Sequence, residues 1–364
     1  MQNQRLISLD LFRGMTVALM ILVNNGFGTS FAMLQHSKWN GLTPCDLVFP
    51  FFLFIMGIST YLSLKKSDFR WSKPLARKLV KRGALLILIG LAINWFDLAV
   101  SGRPFDLPHL RYWGVMQRIG ICYLVVAATA LTLRRRFMLP LAMLLLAAYG
   151  VVLVCGDGYV YDARQNILAQ ADLRLFGYDH LYHKSPVDPE GLISTLSAIA
   201  HTMIGFEFGR ILCLRGDVER KVRHFLVSGG LLVVSGFCLS VLLPLNKRVW
   251  SPSYALVTCG LAALFLGLMI WLVDGRRQAR EKEKTAQWMT FLLIFGVNPL
   301  FLYIVSEALS ILFGHFGINA WVCSGLHVFI PWPQWMSLAY ALLFVVLHAG
   351  IGYPLYRRRI FIKL

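Results

Sequence analysis

Charge is scarce in this 364-residue chain, and acidic charge is scarcest: 15% of residues are Asp, Glu, Lys or Arg, and 18 acids stand against 36 bases. Water-soluble domains carry about 25% charged residues, so the deficit excludes an ordinary soluble globule. Catalytic signatures of the common hydrolases are also missing. There is no GxSxG elbow and no HExxH pair, and NNGFG (24–28) lacks the GK[ST] and the preceding strand of a phosphate loop. The seven cysteines (Cys45, Cys122, Cys155, Cys213, Cys238, Cys259, Cys323) form no CxxC pair and no disulfide-like spacing. His180 and His183 have a spacing that can bind metal, but no further ligands accompany them. No metal site is expected.

Hydrophobic residues make up 57% of the chain, and they are gathered into long runs. Counting runs able to cross about 30 Å of hydrocarbon, roughly 20 residues each, gives spans at about 11–32, 45–64, 79–99, 114–133, 137–155, 192–213, 225–243, 253–273, 288–312 and 335–356. The chain therefore reads as an all-α, polytopic membrane protein with about ten transmembrane helices. Asn24–Asn25 interrupts the first run and no small-residue cleavage site follows, so it reads as a retained helix, not a signal peptide.

The formal net charge of +18 would suit a nucleic-acid surface if it formed one patch. Instead the bases cluster between alternate runs: Lys65–Arg82, Arg134–Arg136, Arg210–Arg223, 276–284, and Arg357, Arg358, Arg359 and Lys363 near the C-terminus. By the positive-inside rule both termini are cytoplasmic, and no nucleic-acid partner is expected. The longest loop on the other side, about 156–191, holds Asp157, Asp162, Asp172, Asp179, Asp188 and Glu190. It is too poor in apolar residues for a core of its own, so one membrane domain, 1–364, is expected, with this loop as an outer cap.

Polar groups within or beside membrane spans are costly and are functional candidates by default. The densest set lies in the stretch from Arg5 to Lys66, where a short outer hairpin carries His36, Lys38, Trp39, Asn40 and Asp46. His36 can take and return a proton near neutral pH. Asp46 can orient the imidazole or cap the second helix. Asn24 and Asn25, beside Gly26 and Gly28, can offer an amide to an oxyanion or simply end a helix. Asp10 and Arg13 share a face at the inner end of the first helix, where an ion pair is the plainer reading. Arg118, following Gln117, lies too deep to be only a topology signal and suits a phosphate or carboxylate, or a buried ion pair. Glu207 and Glu307 lie on later spans, and Asn298 before Pro299 marks a local break. Asn246, Lys247 and Arg248 form a basic loop on the side where bases are otherwise few. These acids also suit a proton-coupled transporter or flippase, although no internal repeat supports one.

The sequence resembles the heparan-α-glucosaminide N-acetyltransferase family. The resemblance rests on SLDLFRG (8–14), VNNG (23–26), HSKWNGLTPCDLVFPFFLFIMGIS (36–59), LRYWGVMQRIGICYL (110–124), DPEGLISTLSAIAHTMIG (188–205), NKRVWSPSYALVT (246–258) and NPL (298–300). It implies an acetyltransferase that takes acetyl-coenzyme A from the cytosol and acetylates the amine of a terminal glucosamine across the membrane. It implies His36 as the active-site histidine and Asn24 as the asparagine of the V-N motif. One extra residue between those motifs leaves Asn25 as the alternative, and Trp113 stands where a proline is usual. Catalytic roles are thus expected for His36, Asn24 and Asp46. Coenzyme A contacts are expected from Arg118, Arg13 and Gln117, and acceptor contacts from Trp39, Asn40, Asn246, Lys247, Asn298 and Glu307. The partners implied are an amino sugar or glycan end, membrane lipid and, as in the animal relative, a second copy in a homodimer. The many bacterial relatives point to a multi-pass protein of a bacterial cytoplasmic membrane.

Overall fold

A computed structural model describes residues 6–214, 216–275 and 287–362. Arg5, which opens the polar stretch, and Arg215, the basic cluster 276–284 and Lys363, which belong to the basic clusters above, lie outside the described residues. The helices are α1 (Ile7–Asn24), α2 (Val48–Lys65), α3 (Lys73–Val100), α4 (Val115–Thr132), α5 (Met138–Cys155), α6 (Ile167–Phe176) and α7 (Ser194–Leu212). They continue as α8 (Val218–Ser240), α9 (Pro252–Met269), α10 (Gln287–Val297), α11 (Pro299–His315), α12 (Ile318–Phe329) and α13 (Pro333–Arg357). The described residues contain no strand, as expected.

Among the described residues eight helices are long and apolar enough to cross a membrane, or nine if α10 and α11, bent by 80° at Asn298, make one span. The count of about ten therefore needs α7, which has the length but not the composition. Ser194, Thr195, Ser197, His201, Thr202 and Glu207 lower its hydropathy, and all six are buried inside the bundle. A polar helix is tolerable at this depth because protein, not lipid, surrounds it. By contrast α3 and α8 are only 22% buried along their apolar windows. An apolar surface of that extent facing outward fits lipid and not water. The chain is an integral, multi-pass membrane protein.

α2 is the axis. The apolar window of its span, Pro44–Lys65, is 78% buried, and Pro50 falls in its first turn, where a missing N–H costs little. It runs alongside α7 in the same direction: His201 Nε2 pairs with the Pro50 carbonyl at 2.9 Å, and a Cβ on Gly57 would strike the Thr202 carbonyl. Gly205 meets the Phe54 carbonyl in the same way, so the two backbones touch directly. Gly14 of α1 and Gly296 of α10 make a second backbone-to-backbone crossing, against Leu292 and Asp10. The described chain starts and ends on one side of the bundle. Asp10 abuts Gly296 there, and Asn298 holds the C-terminal segment through the Ile360 carbonyl and the Ile362 N–H, both at 2.8 Å.

A candidate acid–base site and a basic cavity

The hairpin between α1 and α2 folds around one carboxylate. Asp46 is fully buried, and its Oδ2 accepts the backbone N–H groups of Ser37 and Thr43, both at 3.1 Å. Its Oδ1 lies 2.8 Å from His36 Nδ1. An ionised carboxylate can only accept, so Nδ1 carries the proton and Nε2 keeps the lone pair. Lys247 Nζ stands 2.9 Å from Nδ1, 3.2 Å from Nε2 and 3.6 Å from Asp46 Oδ1. Of the two ring nitrogens, Nε2 is the one able to accept from that ammonium. The His36 side chain is 45% exposed while that of Lys247 is 15% exposed. Burial pushes the Lys247 ammonium below the usual lysine range, with Asp46, Cys45 and Glu190 opposing.

Several expected acceptor contacts build this site instead of facing it. Asn246 donates to Asn40 Oδ1 at 3.0 Å, and the Gly41 N–H donates to the Leu245 carbonyl at 2.7 Å. These two bonds lock the hairpin to the 241–251 loop and carry Lys247 to His36. Trp39 donates its indole N–H to the Tyr159 carbonyl at 2.7 Å and packs on Tyr161, ring centroids 4.9 Å apart. It therefore pins the cap to the hairpin.

Other expectations are relocated. Asn24 is exposed and its amide lies 3.5 Å from Glu307 Oε1, whereas Asn25 is buried and donates to the Ile21 carbonyl of its own helix. Of the two asparagines, Asn24 is therefore the accessible one. Arg118 is fully buried at the hairpin end, bonded to the Gly191 carbonyl at 3.1 Å and to the Ser194 hydroxyl, with its guanidinium 5.2 Å from the Trp250 ring centre. Arg13 pairs with Asp10 and Ser59. Ser59 is thirteen residues along α2 from Asp46, roughly 20 Å at 1.5 Å per residue. Arg118 and Arg13 thus sit at opposite ends and form no common phosphate site. Gln117 packs its amide against Gly90 and Gly114 between α3 and α4. Asn298 spends both amide atoms on the C-terminal backbone at the basic end, which removes it from the hairpin site.

Two features escaped the sequence reading. The Cys45 thiol lies 3.1 Å from His36 Nδ1, next in sequence to Asp46, but the sequence reading gave it no role. The second is a cavity of about 740 Å³ at the opposite end, lined by Arg13, Lys78, Lys81 and Arg82. The wall runs along α2 through Ser63, Ser59, Met56 and Ile55 to Phe52, with Ile119 and Tyr123 of α4 facing it. In sequence Lys78, Lys81 and Arg82 are simply part of the basic inner loop Lys65–Arg82, because α3 and its packing against α2 and α4 decide that they converge.

The cap holds further buried charge. Arg111 bonds Asp188 at 2.9 Å and Glu190 at 2.8 Å. Burial alone would raise the Glu190 carboxyl, but Arg111, with Arg118 and Lys247, holds it below the usual range. Among the described residues Asp172 has no ion-pair partner, and burial raises it from 3.8 to about 6, against the Leu192 N–H that donates to it and the Arg118 charge. A folded-state value above the unfolded one adds stability below pH ~4 and loses it as pH rises through ~6. Asp172→Asn should therefore raise thermal stability by about 2–3 kcal/mol at pH 7.5 and by little at pH 4. Melting in detergent at both pH values checks this, and an equal shift at both would refute it.

A multi-pass helical membrane protein with a half-exposed histidine held by a buried carboxylate at one end and a basic cavity at the other is the class these features define. Residues 5–161 match the family model described as heparan-alpha-glucosaminide N-acetyltransferase, catalytic. The human protein named heparan-alpha-glucosaminide N-acetyltransferase is 31% identical over 331 residues, covering 74% of this chain and 49% of its own. The mouse protein of the same name is 29% identical over 364 residues, covering 84% and 54%. The chain is a relative of the heparan-alpha-glucosaminide N-acetyltransferase family, and it spans about half the length of the curated relatives it matches.

Proposed function

We propose that this protein transfers an acetyl group from acetyl-coenzyme A, bound at the basic end, to the amine of a glucosamine-type sugar at His36. One observation carries the reading: the cavity begins among four cations and follows α2 to Phe52, six residues or roughly 9 Å short of Asp46. Coenzyme A has that polarity, with its phosphates at one end and its thioester at the other. Arg13, Lys78, Lys81 and Arg82 are placed to take the phosphates. At the far end the sugar amine attacks the thioester carbonyl carbon, the C–N bond forms, and the C–S bond breaks to release the coenzyme A thiolate. As the Lys247 ammonium turns from Nε2 to the developing oxyanion, His36 Nε2 takes the amine proton and passes it toward that thiolate. Asp46 holds the tautomer throughout. The Lys247 ammonium, and Asn24 as its proposed partner, stabilise the oxyanion.

On this reading the basic end faces the cytosol with both termini, and His36 faces the far side. The placement in a bacterial cytoplasmic membrane and the homodimer rest on the resemblance alone. A transporter reading has the 80° break at Asn298 in its favour, since discontinuous helices mark many transport sites. Purified protein in nanodiscs, given acetyl-coenzyme A and glucosamine, should release thiol and N-acetylglucosamine one for one. Solute movement in vesicles with no thiol released would replace this reading with the rival one.

A further inference from the structure

We propose that the cap carries a second saccharide subsite, which holds the sugar unit next to the one acetylated at His36; this rests on the acetyl-transfer reading above. A cavity of about 300 Å³ opens in the cap, lined by Asp172, Tyr178, Tyr182, His183, Lys184 and Asp188 among others. Its size is at the small end of ligand pockets.

The lining has the chemistry a pyranose needs. A sugar ring offers C–H faces that pack on aromatic rings and hydroxyls that donate to carboxylates. Tyr178 is 65% exposed, and its ring lies 4.6 Å from that of His183. Tyr182 is held from behind by the Arg111 guanidinium, 4.7 Å from its ring centre. Asp172 is 1% exposed, and among the described residues only its Oδ1 accepts a hydrogen bond, from the Leu192 N–H at 3.1 Å. Its Oδ2 is left for a ligand hydroxyl or ammonium. Asp188 is fixed by Arg111 and by the Tyr182 N–H at 3.0 Å, so the wall is rigid.

The cavity is tied to the acid–base site through its floor and its wall. Ala163 and Ala169 line it and belong to the same apolar cluster as Trp39 of the hairpin. Arg111 bridges Asp188 in its wall to Glu190, whose charge is felt by Lys247. With Asp172 Oδ2 able to accept from a hydroxyl or an ammonium, the unit bound is a neutral or amino sugar.

The test compares glucosamine with its β1,4-linked dimer, using the full-length protein in nanodiscs. The dimer should be acetylated with a KM about tenfold lower. Tyr178→Ala should remove that advantage while leaving the kinetics on glucosamine unchanged, and Tyr178→Phe, which keeps the ring, should restore it. A wild-type protein that does not prefer the dimer, or a preference that survives Tyr178→Ala, would overturn the subsite. Equilibrium dialysis of both sugars with His36→Ala separates the two proposals. Dimer binding lost in Tyr178→Ala supports the subsite even where no acetyl transfer occurs, and equal binding of the two sugars sinks it.

Discussion

His36→Ala should lower acetyl transfer to glucosamine by about a thousandfold, mostly in kcat, because a positioned general base contributes 10²–10⁴. The residue is well suited to a clean test. Its side chain is 45% exposed and is held by Asp46 at 2.8 Å, so truncation leaves the bundle intact. Asp46→Asn makes a second probe with a different signature. The amide keeps the size but changes what Nδ1 meets, and the tautomer presenting Nε2 as a lone pair is no longer enforced. The buried carboxylate also takes the Ser37 and Thr43 N–H groups, so that variant should lose stability as well as rate. Stopped-flow thiol release and melting, run on both variants, separate these effects. His36→Ala at wild-type rate would remove the base from the mechanism. Rapid-quench labelling with radioactive acetyl-coenzyme A further divides direct attack from an acetyl-imidazole, since only the second leaves label on wild-type protein without acceptor.

The second large effect belongs to the other end of the molecule. Replacing Lys78, Lys81 and Arg82 together by Gln should raise the KM for acetyl-coenzyme A by about a hundredfold with kcat nearly unchanged. The magnitude follows from about 1 kcal/mol for each charge-assisted phosphate contact. Arg82 is the most embedded of the three: its guanidinium lies 4.9 Å from the Tyr123 ring centre, and its Nε is buried with no hydrogen bond among the described residues. Initial rates across donor concentration measure the effect, and the loss should shrink in high salt, where wild-type binding also weakens. A triple variant with unaltered KM would move the donor out of this cavity.

The two ends were legible in sequence to different degrees, for physical reasons. The all-α fold could be read because twenty apolar residues in a row have few other uses, and the hairpin because its polar residues are neighbours in the chain. Lys247 stood out as a base in a loop set poor in bases, yet its meeting with His36, 211 residues away, depends on the Asn40–Asn246 bond. What failed were residues whose meaning is set by depth and by which helix lies opposite. Arg118 and Arg13 were both expected to contact coenzyme A, but α1 and α4 place them at opposite ends of the bundle. Asn298 signalled a helix break correctly, and the break then consumed its amide. Glycine spacing shows that two helices can approach closely, not which two, so the pairing of Gly57 with α7 was invisible.

That pairing has a consequence for the choice of donor. Since the backbones of α2 and α7 are in contact at Gly57 and Gly205, α2 is a rod of fixed length. Its span from Ser63 at the cation cluster to Asp46 is seventeen residues, roughly 25 Å. On the proposed reading the rod is a ruler: a donor anchored by its phosphates delivers its acyl carbon only if the tether between them matches most of that length. Acetyl phosphate, which carries both groups on one short molecule, would dock at the basic end and leave its acetyl group stranded there. Selection of the donor would then be made by reach, with no contact to the acetyl group needed.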